Sequence, residues 1–120
     1  MFLGLRTVIY RVRDLDAAKA WYAKAFGVQP YFDQPFYVGF DIGGYELGLH
    51  PYRGELTTGN NVLAYWGVPS IEAAHAHMLE HGASAHEPIQ DVGEGIRVAA
   101  VADPFGNLIG LIENPHFAAR

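Results

Sequence analysis

The chain has 120 residues, half of them apolar, a formal net charge of −5 and no cysteine. That length can bury one core without staples, and the missing thiols exclude disulfides, thiolate metal sites and cysteine nucleophiles. The acidic balance, with no basic cluster larger than Arg11 and Arg13, excludes nucleic acid as a partner.

The opening MFLGLRTVIYRVRD carries Arg6, Arg11 and Arg13 and no long apolar run, so it reads as a strand and not as a leader or membrane anchor. A soluble, cytoplasmic protein is expected. LRTVIYRV (5–12) is rich in β-branched and aromatic residues, which favours a strand. Asp14 then caps a predicted helix whose apolar residues Leu15, Ala18, Tyr22, Ala25 and Phe26 recur at helical spacing, and Gly27 supplies a left-handed stop. VQPYFD (28–33), PFYVGFDI (35–42) and YELGLH (45–50) are three short strand candidates, the last two joined by a Gly43–Gly44 turn. The first half therefore reads βαβββ.

PYRGELTTGN (51–60) is dense in turn formers and separates the halves. The pattern then restarts. NVLAYWGV (61–68) reads as a strand, Ser70 as a helix cap, Ile71, Ala74, Met78 and Leu79 as the apolar stripe, and Gly82 as the stop. A short strand at 84–87, then GIRVAAVAD (95–103), the turn DPFGN (103–107) and LIGLIE (108–113) complete a second βαβββ. The expected organisation is one α+β domain over 1–120, with module one at about 3–51, a linker at 52–60 and module two at about 61–115.

Register supports the repeat. Val12 and Val68, Asp14 and Ser70, and Leu15 and Ile71 are each 56 residues apart. Gly44 and Gly106, Leu47 and Ile109, Gly48 and Gly110, and Leu49 and Leu111 are each 62 apart. One glycine thus interrupts both final strands, in LGL (47–49) and IGL (109–111). Glycine weakens a strand interior, so a matched pair signals either room for a neighbouring group or a bend or bulge.

VRDLDAAKAWYAKAFG (12–27) and ADPFGNLIGLIENP (102–115), set in two βαβββ units, resemble the vicinal oxygen chelate superfamily of glyoxalases, bleomycin and fosfomycin resistance proteins and extradiol dioxygenases. The resemblance covers essentially the whole chain. It implies a curved mixed sheet enclosing a cleft, flanking helices and a homodimer. It also implies metal ligands on the first and last strand of each half, which fall here on Thr7, Gly48, Leu63 and Gly110. Two glycines, a leucine and a neutral hydroxyl cannot hold a divalent ion. No cofactor is therefore expected, a metal is disfavoured, and glycine in place of two ligands implies a roomier, more apolar cleft suited to an organic molecule.

Strand alternation then sorts the neighbours. If Thr7 faces the cleft, so do Leu5, Ile9 and Arg11; with Leu63 go Asn61 and Tyr65; with Gly48 go Glu46 and His50; with Gly110 go Leu108 and Ile112. Phe36, Tyr37, Phe40 and Trp66 are candidate aromatic walls, without a register anchor for the middle strands. The ligand-contact set is Thr7, Ile9, Tyr37, Glu46, Gly48, His50, Leu63, Tyr65, Trp66 and Gly110, and Glu46 and His50 are the candidate catalytic residues. A shifted register would let either bind a cation with a group such as His116.

Other signals resolve into ordinary structure. HMLEH (77–81) matches the H-x-x-E-H string of inverted zinc peptidases, but Gly82 ends its helix and no helix follows to bring a third ligand. Asp14 and Asp16 are explained by capping and the helix dipole, and Trp21 by packing or subunit contact. Two functions stand: a metal-independent binding protein for a small organic ligand, or an enzyme (lyase, isomerase or dioxygenase) using an atypical metal or Glu/His acid–base chemistry.

Overall fold

The computed structural model describes residues 1–118 and divides the chain into two compact units, Met1–Thr57 and Thr58–Arg120, with the boundary inside the predicted linker. Unit one holds β1 (Thr7–Val12), α1 (Leu15–Phe26), β2 (Phe32–Gln34), β3 (Tyr37–Ile42) and β4 (Tyr45–Pro51). Unit two holds β5 (Tyr65–Gly67), α2 (Ile71–Glu80), β6 (Ser84–Gly93), β7 (Ile96–Ala102) and β8 (Leu108–Glu113). Each is βαβββ, an α+β module with its own four-stranded mixed sheet.

In module one the strand order is β1-β4-β3-β2, β1 running parallel to β4 and the others antiparallel. Helix α1 forms where the sequence places a cap and a stop: the Asp14 side chain accepts from the Ala17 N–H at 3.0 Å, and Gly27 takes the left-handed conformation at φ 69°. Its buried stripe is Ala18, Tyr22 and Ala25, and it packs on β3 and β4. The facing sheet residues, Tyr10, Val12, Val38, Phe40, Leu47 and Leu49, are all buried. Each large apolar side chain in such a core contributes about 1.5–3 kcal/mol. Phe40 therefore belongs to the core, on the face opposite the candidate site.

Module two repeats this with order β5-β8-β7-β6. Ser70 accepts from the Ala73 N–H at 3.3 Å and α2 buries Ile71 and Met78 against a face of Ala99, Val101, Ile109 and Leu111. Glu113 accepts from the Ile71 N–H at 2.9 Å and pairs with Arg97, which also pairs with Glu72 on the helix. The β7–β8 turn is organised by buried Asp103, whose Oδ1 accepts from the Phe105 and Asn107 N–H groups at 2.9 and 2.7 Å.

Four expectations change. Strand β5 covers only Tyr65–Gly67 instead of 61–68, so Leu63 precedes it; its first ladder contact is the Gly110 N–H to the Ala64 carbonyl at 2.8 Å. Strand β6 runs ten residues instead of four, because on a sheet edge Pro88 forfeits no ladder bond and register shifts at Glu87 and Gln90 absorb it. Strand β2 is shorter and later than the expected 28–33. Leu79 is exposed, so the α2 stripe is narrower than its spacing suggests.

Candidate functional site

The face of module one turned away from α1 carries Thr7, Ile9 and Arg11 from β1, Glu46, Gly48 and His50 from β4, and Tyr37, Gly39 and Asp41 from β3, as the pairings Thr7–Glu46–Asp41 and Ile9–Gly48–Gly39 require. Two glycines therefore lie side by side. A Cβ on Gly48 would fall onto the Tyr37 hydroxyl and 2.6 Å from its ring carbon Cζ, while one on Gly39 would lie 3.0 Å from Glu46 Oε2 and 3.2 Å from the Tyr31 ring. The room that Gly48 leaves is thus filled from within the module, by Tyr37.

Over this glycine floor the two phenols converge on one carboxylate. The Tyr37 hydroxyl donates to Glu46 Oε1 at 2.8 Å and the Tyr31 hydroxyl donates to Oε2. Tyr31 is held in place by its own N–H, which donates to the Gly39 carbonyl at 3.0 Å. The Thr7 hydroxyl is buried and has no partner in good hydrogen-bond geometry, yet it lies close enough to act on Glu46. Thr7, then the Tyr31 and Tyr37 phenols, hold the Glu46 carboxyl below the usual carboxylate range. Reciprocally, the Glu46 hydrogen bond pushes Tyr31 up to about 12, and burial followed by Glu46 raises Tyr37. A carboxylate held ionised in this way is an anchor for donors and cations and a weak base.

His50 stands at the other end of the face. Its Nδ1 is buried without a partner, its ring lies 6.4 Å from that of Tyr52, and the Arg11 guanidinium sits 4.6 Å from the centre of the Tyr52 ring. Glu46 and His50 are four positions apart along one strand, about 13 Å of backbone. Tyr37, seated on Gly48, stands between them. The two candidate catalytic residues share a face and are not brought together on one reacting atom.

In module two, Tyr65 is the strand partner of Gly110, and a Cβ on Gly110 would lie 2.6 Å from the Ala64 carbonyl oxygen and 2.7 Å from Tyr65 Cδ1. Tyr65 fills that space as Tyr37 fills the other. Trp66 pairs with buried Leu111 and so lies on the α2 side, away from Tyr65. Phe36 is an exposed turn residue, outside the strands. His116 is in module two, its Nε2 2.8 Å from the Glu94 carbonyl oxygen. The His77 and His81 rings lie 4.2 Å apart between centroids, tilted by 38°, with His81 Nδ1 2.8 Å from the His77 carbonyl oxygen.

Thr7, Gly48, Leu63 and Gly110 do not fit a divalent ion. One hydroxyl is the only side-chain donor among them, and tyrosine rings stand where ligands on the glycine positions would project. Among the described residues no group of three or more His, Asp or Glu side chains is placed to hold a metal. No helix there is long and apolar enough to cross a membrane. Sequence reasoning missed Tyr31, Asp41 and Tyr45, which line a cavity of about 130 Å³ with Gly44 and Glu46.

Comparison with known proteins agrees with the architecture. The fold matches a glyoxalase-related enzyme from Fulvimarina pelagi with a TM-score of 0.80, 17% identity, and coverage of 99% of this chain and 94% of that one. A fosfomycin resistance protein from Listeria monocytogenes gives 0.77 at 17% identity, covering 97% of each chain. A lactoylglutathione lyase from Agrobacterium tumefaciens gives 0.76 at 18%, covering 100% of each. At these identities the likeness concerns the fold alone. No curated protein sequence matches the chain. The family model matches residues 4–111, both modules included, and on that match the chain belongs to the Glyoxalase/Bleomycin resistance protein/Dioxygenase superfamily.

Proposed function

We propose that the chain is a metal-independent binding protein for a small organic molecule, working as a cytoplasmic homodimer and contacting its ligand through the open face of module one. The observation that carries this reading is Tyr37 seated on Gly48 with its hydroxyl on Glu46. A position that relatives by resemblance give to a metal ligand is here taken by an aromatic ring and a fixed carboxylate, groups that recognise organic surface and donors. Ile9 and Tyr31, both exposed, extend the contact area. Because one scaffold hosts many chemistries, the fold supports the ligand class less than these residues do.

Thermal unfolding in the presence of a panel of aromatic and cationic compounds tests the reading, since a ligand at a hundredfold excess over its Kd adds about 2.7 kcal/mol. A shift that Tyr37→Phe or Tyr37→Ala reduces supports it. The absence of any shift across the panel removes it.

A second reading is favoured by the buried Nδ1 of His50, a ring nitrogen that no neighbouring group holds in a hydrogen bond. On this reading the chain is a lyase, isomerase or dioxygenase, with His50 as the acid–base group and Glu46 as an anchor, or with an atypical metal. Turnover lost on chelation would point to the metal; turnover insensitive to chelation and lost in His50→Ala would point to the histidine.

A further inference from the structure

We propose that the open face of module one takes a planar aromatic ring that carries an N–H or O–H donor, such as an indole or a phenol. This rests on the reading of that face as a binding surface and names the class of its ligand. The strand register aligns Ile9, Gly48, Gly39 and Phe32 in one row across all four strands. The two middle positions bring no side chain, so the row is a trough, about 14 Å from backbone to backbone at the usual strand spacing. The far ends of the Tyr37 and Tyr31 rings floor it, over Gly48 and Gly39 respectively. Ile9 and Phe32 stand exposed at its two sides.

The β2 side of the trough is aromatic. The Phe32 ring lies 5.9 Å from that of Phe36 and 6.2 Å from that of Tyr37, at interplanar angles of 70° and 57°. Neither pair is face to face, and Tyr31, Phe32 and Phe36 are all exposed, so the rings do not cover one another. A further ring can join them at the edge-to-face or offset spacing that aromatic groups favour. The polar centre then selects the donor. A phenol has one hydrogen to give and a carboxylate has none. Tyr31 and Tyr37 both direct theirs to Glu46, so what these three groups leave for a ligand is oxygen lone pairs. The Thr7 hydroxyl beside them is buried and offers no hydrogen at the surface. A ring bearing only acceptors would face those lone pairs uncompensated, whereas an N–H or O–H complements them.

Amide NMR titrations of the full chain with indole and with 1-methylindole, which keeps the ring and lacks the donor, test the proposal. Indole should shift the amides of Phe32, Tyr37, Gly39 and Gly48 and bind about tenfold more tightly than 1-methylindole, as one hydrogen bond to a charged acceptor allows. Phe32→Ala and Phe36→Ala, both at exposed positions, should weaken the two compounds alike. Glu46→Gln, which exchanges an acceptor oxygen for a donor, should erase most of the difference between them. Equal binding of 1-methylindole, unchanged binding in both phenylalanine variants, or cyclohexanol binding as tightly as indole would overturn it. So would a dimer, seen by sedimentation, that dissociates in the phenylalanine variants while indole shifts nothing, since the face would then be a contact between copies. If cyclohexanol shifts the module-one face and indole does not, the aromatic donor fails as the ligand and the binding-protein reading stands; if neither binds, both fail.

Discussion

The two modules share a backbone and differ in the face they leave uncovered by a helix. Offsets of 56 and 62 residues pair Thr7 with Leu63, Ile9 with Tyr65, Glu46 with Leu108, Gly48 with Gly110 and His50 with Ile112. The strand registers repeat accordingly: Ile9 pairs with Gly48 as Tyr65 pairs with Gly110, and Tyr10 with Leu49 as Trp66 with Leu111. On the antiparallel side Asp41–Glu46 corresponds to Ala102–Leu108. What is hydroxyl, carboxylate and imidazole in module one is aliphatic in module two. The glycine is retained in both, and each receives a tyrosine ring, from β3 in one case and from β5 in the other. A repeated scaffold thus keeps the geometry that packing demands while the chemistry of the face is free to diverge.

The difference between the two glycines is the easiest place to break this comparison. At Gly110 an added Cβ meets a backbone carbonyl at 2.6 Å, which cannot move without the strand, so Gly110→Ala should cost about 3 kcal/mol. At Gly48 the obstacle is the far end of the Tyr37 side chain, which can rotate away and forfeit its hydrogen bond, a loss of about 1 kcal/mol. Urea midpoints measure both, and equal losses would deny that the two cradles differ. In a double-mutant cycle, Tyr37→Phe should then cost little further in the Gly48→Ala background, because the hydroxyl has already left Glu46.

Proton linkage sharpens the module-one side. The Glu46 carboxyl is lowered in the folded chain, so its contribution to stability is complete above the unfolded carboxyl pKa and is lost as pH falls through the folded value. Glu46→Gln should flatten that acid limb. Tyr31, raised to about 12 from 10.0, works the other way: its contribution is complete below pH 10.0 and disappears as pH rises from there towards 12. Ultraviolet titration of phenolate should show Tyr31 ionising late in the wild type and near its ordinary value in Glu46→Gln. The smallest effect belongs to Glu72→Gln on the exposed side of the Arg97 pair, where solvent screening should leave the urea midpoint almost unmoved.

The fold was legible because its signals are local. Caps at Asp14 and Ser70, positive φ at Gly27 and Gly82, and apolar alternation each fix an element without reference to distant chain. The resemblance marked Thr7, Gly48 and Gly110 for one face, and period two then carried Glu46 and His50 onto the face of Gly48. The middle strands were ambiguous only while the Gly43–Gly44 turn went unused as a ruler. A two-residue turn that pairs Ile42 with Tyr45 also pairs Asp41 with Glu46 and Gly39 with Gly48, which places Tyr37 on the open face and Phe40 in the core. Tyr31 was beyond such reasoning, since it reaches Glu46 from a loop whose path is set by one backbone bond to Gly39. Leu63 lies ahead of strand β5, which begins at Tyr65, the partner of Gly110, four residues after the expected strand start at Asn61.

Metal content is the most direct test of the claim that tyrosines stand where relatives by resemblance hold an ion. The purified chain, equilibrated with manganese or iron(II), dialysed and assayed by inductively coupled plasma mass spectrometry, should retain far less than one ion per chain. About one ion per chain, retained through dialysis and lost in variants of Thr7 and Glu46, would contradict it.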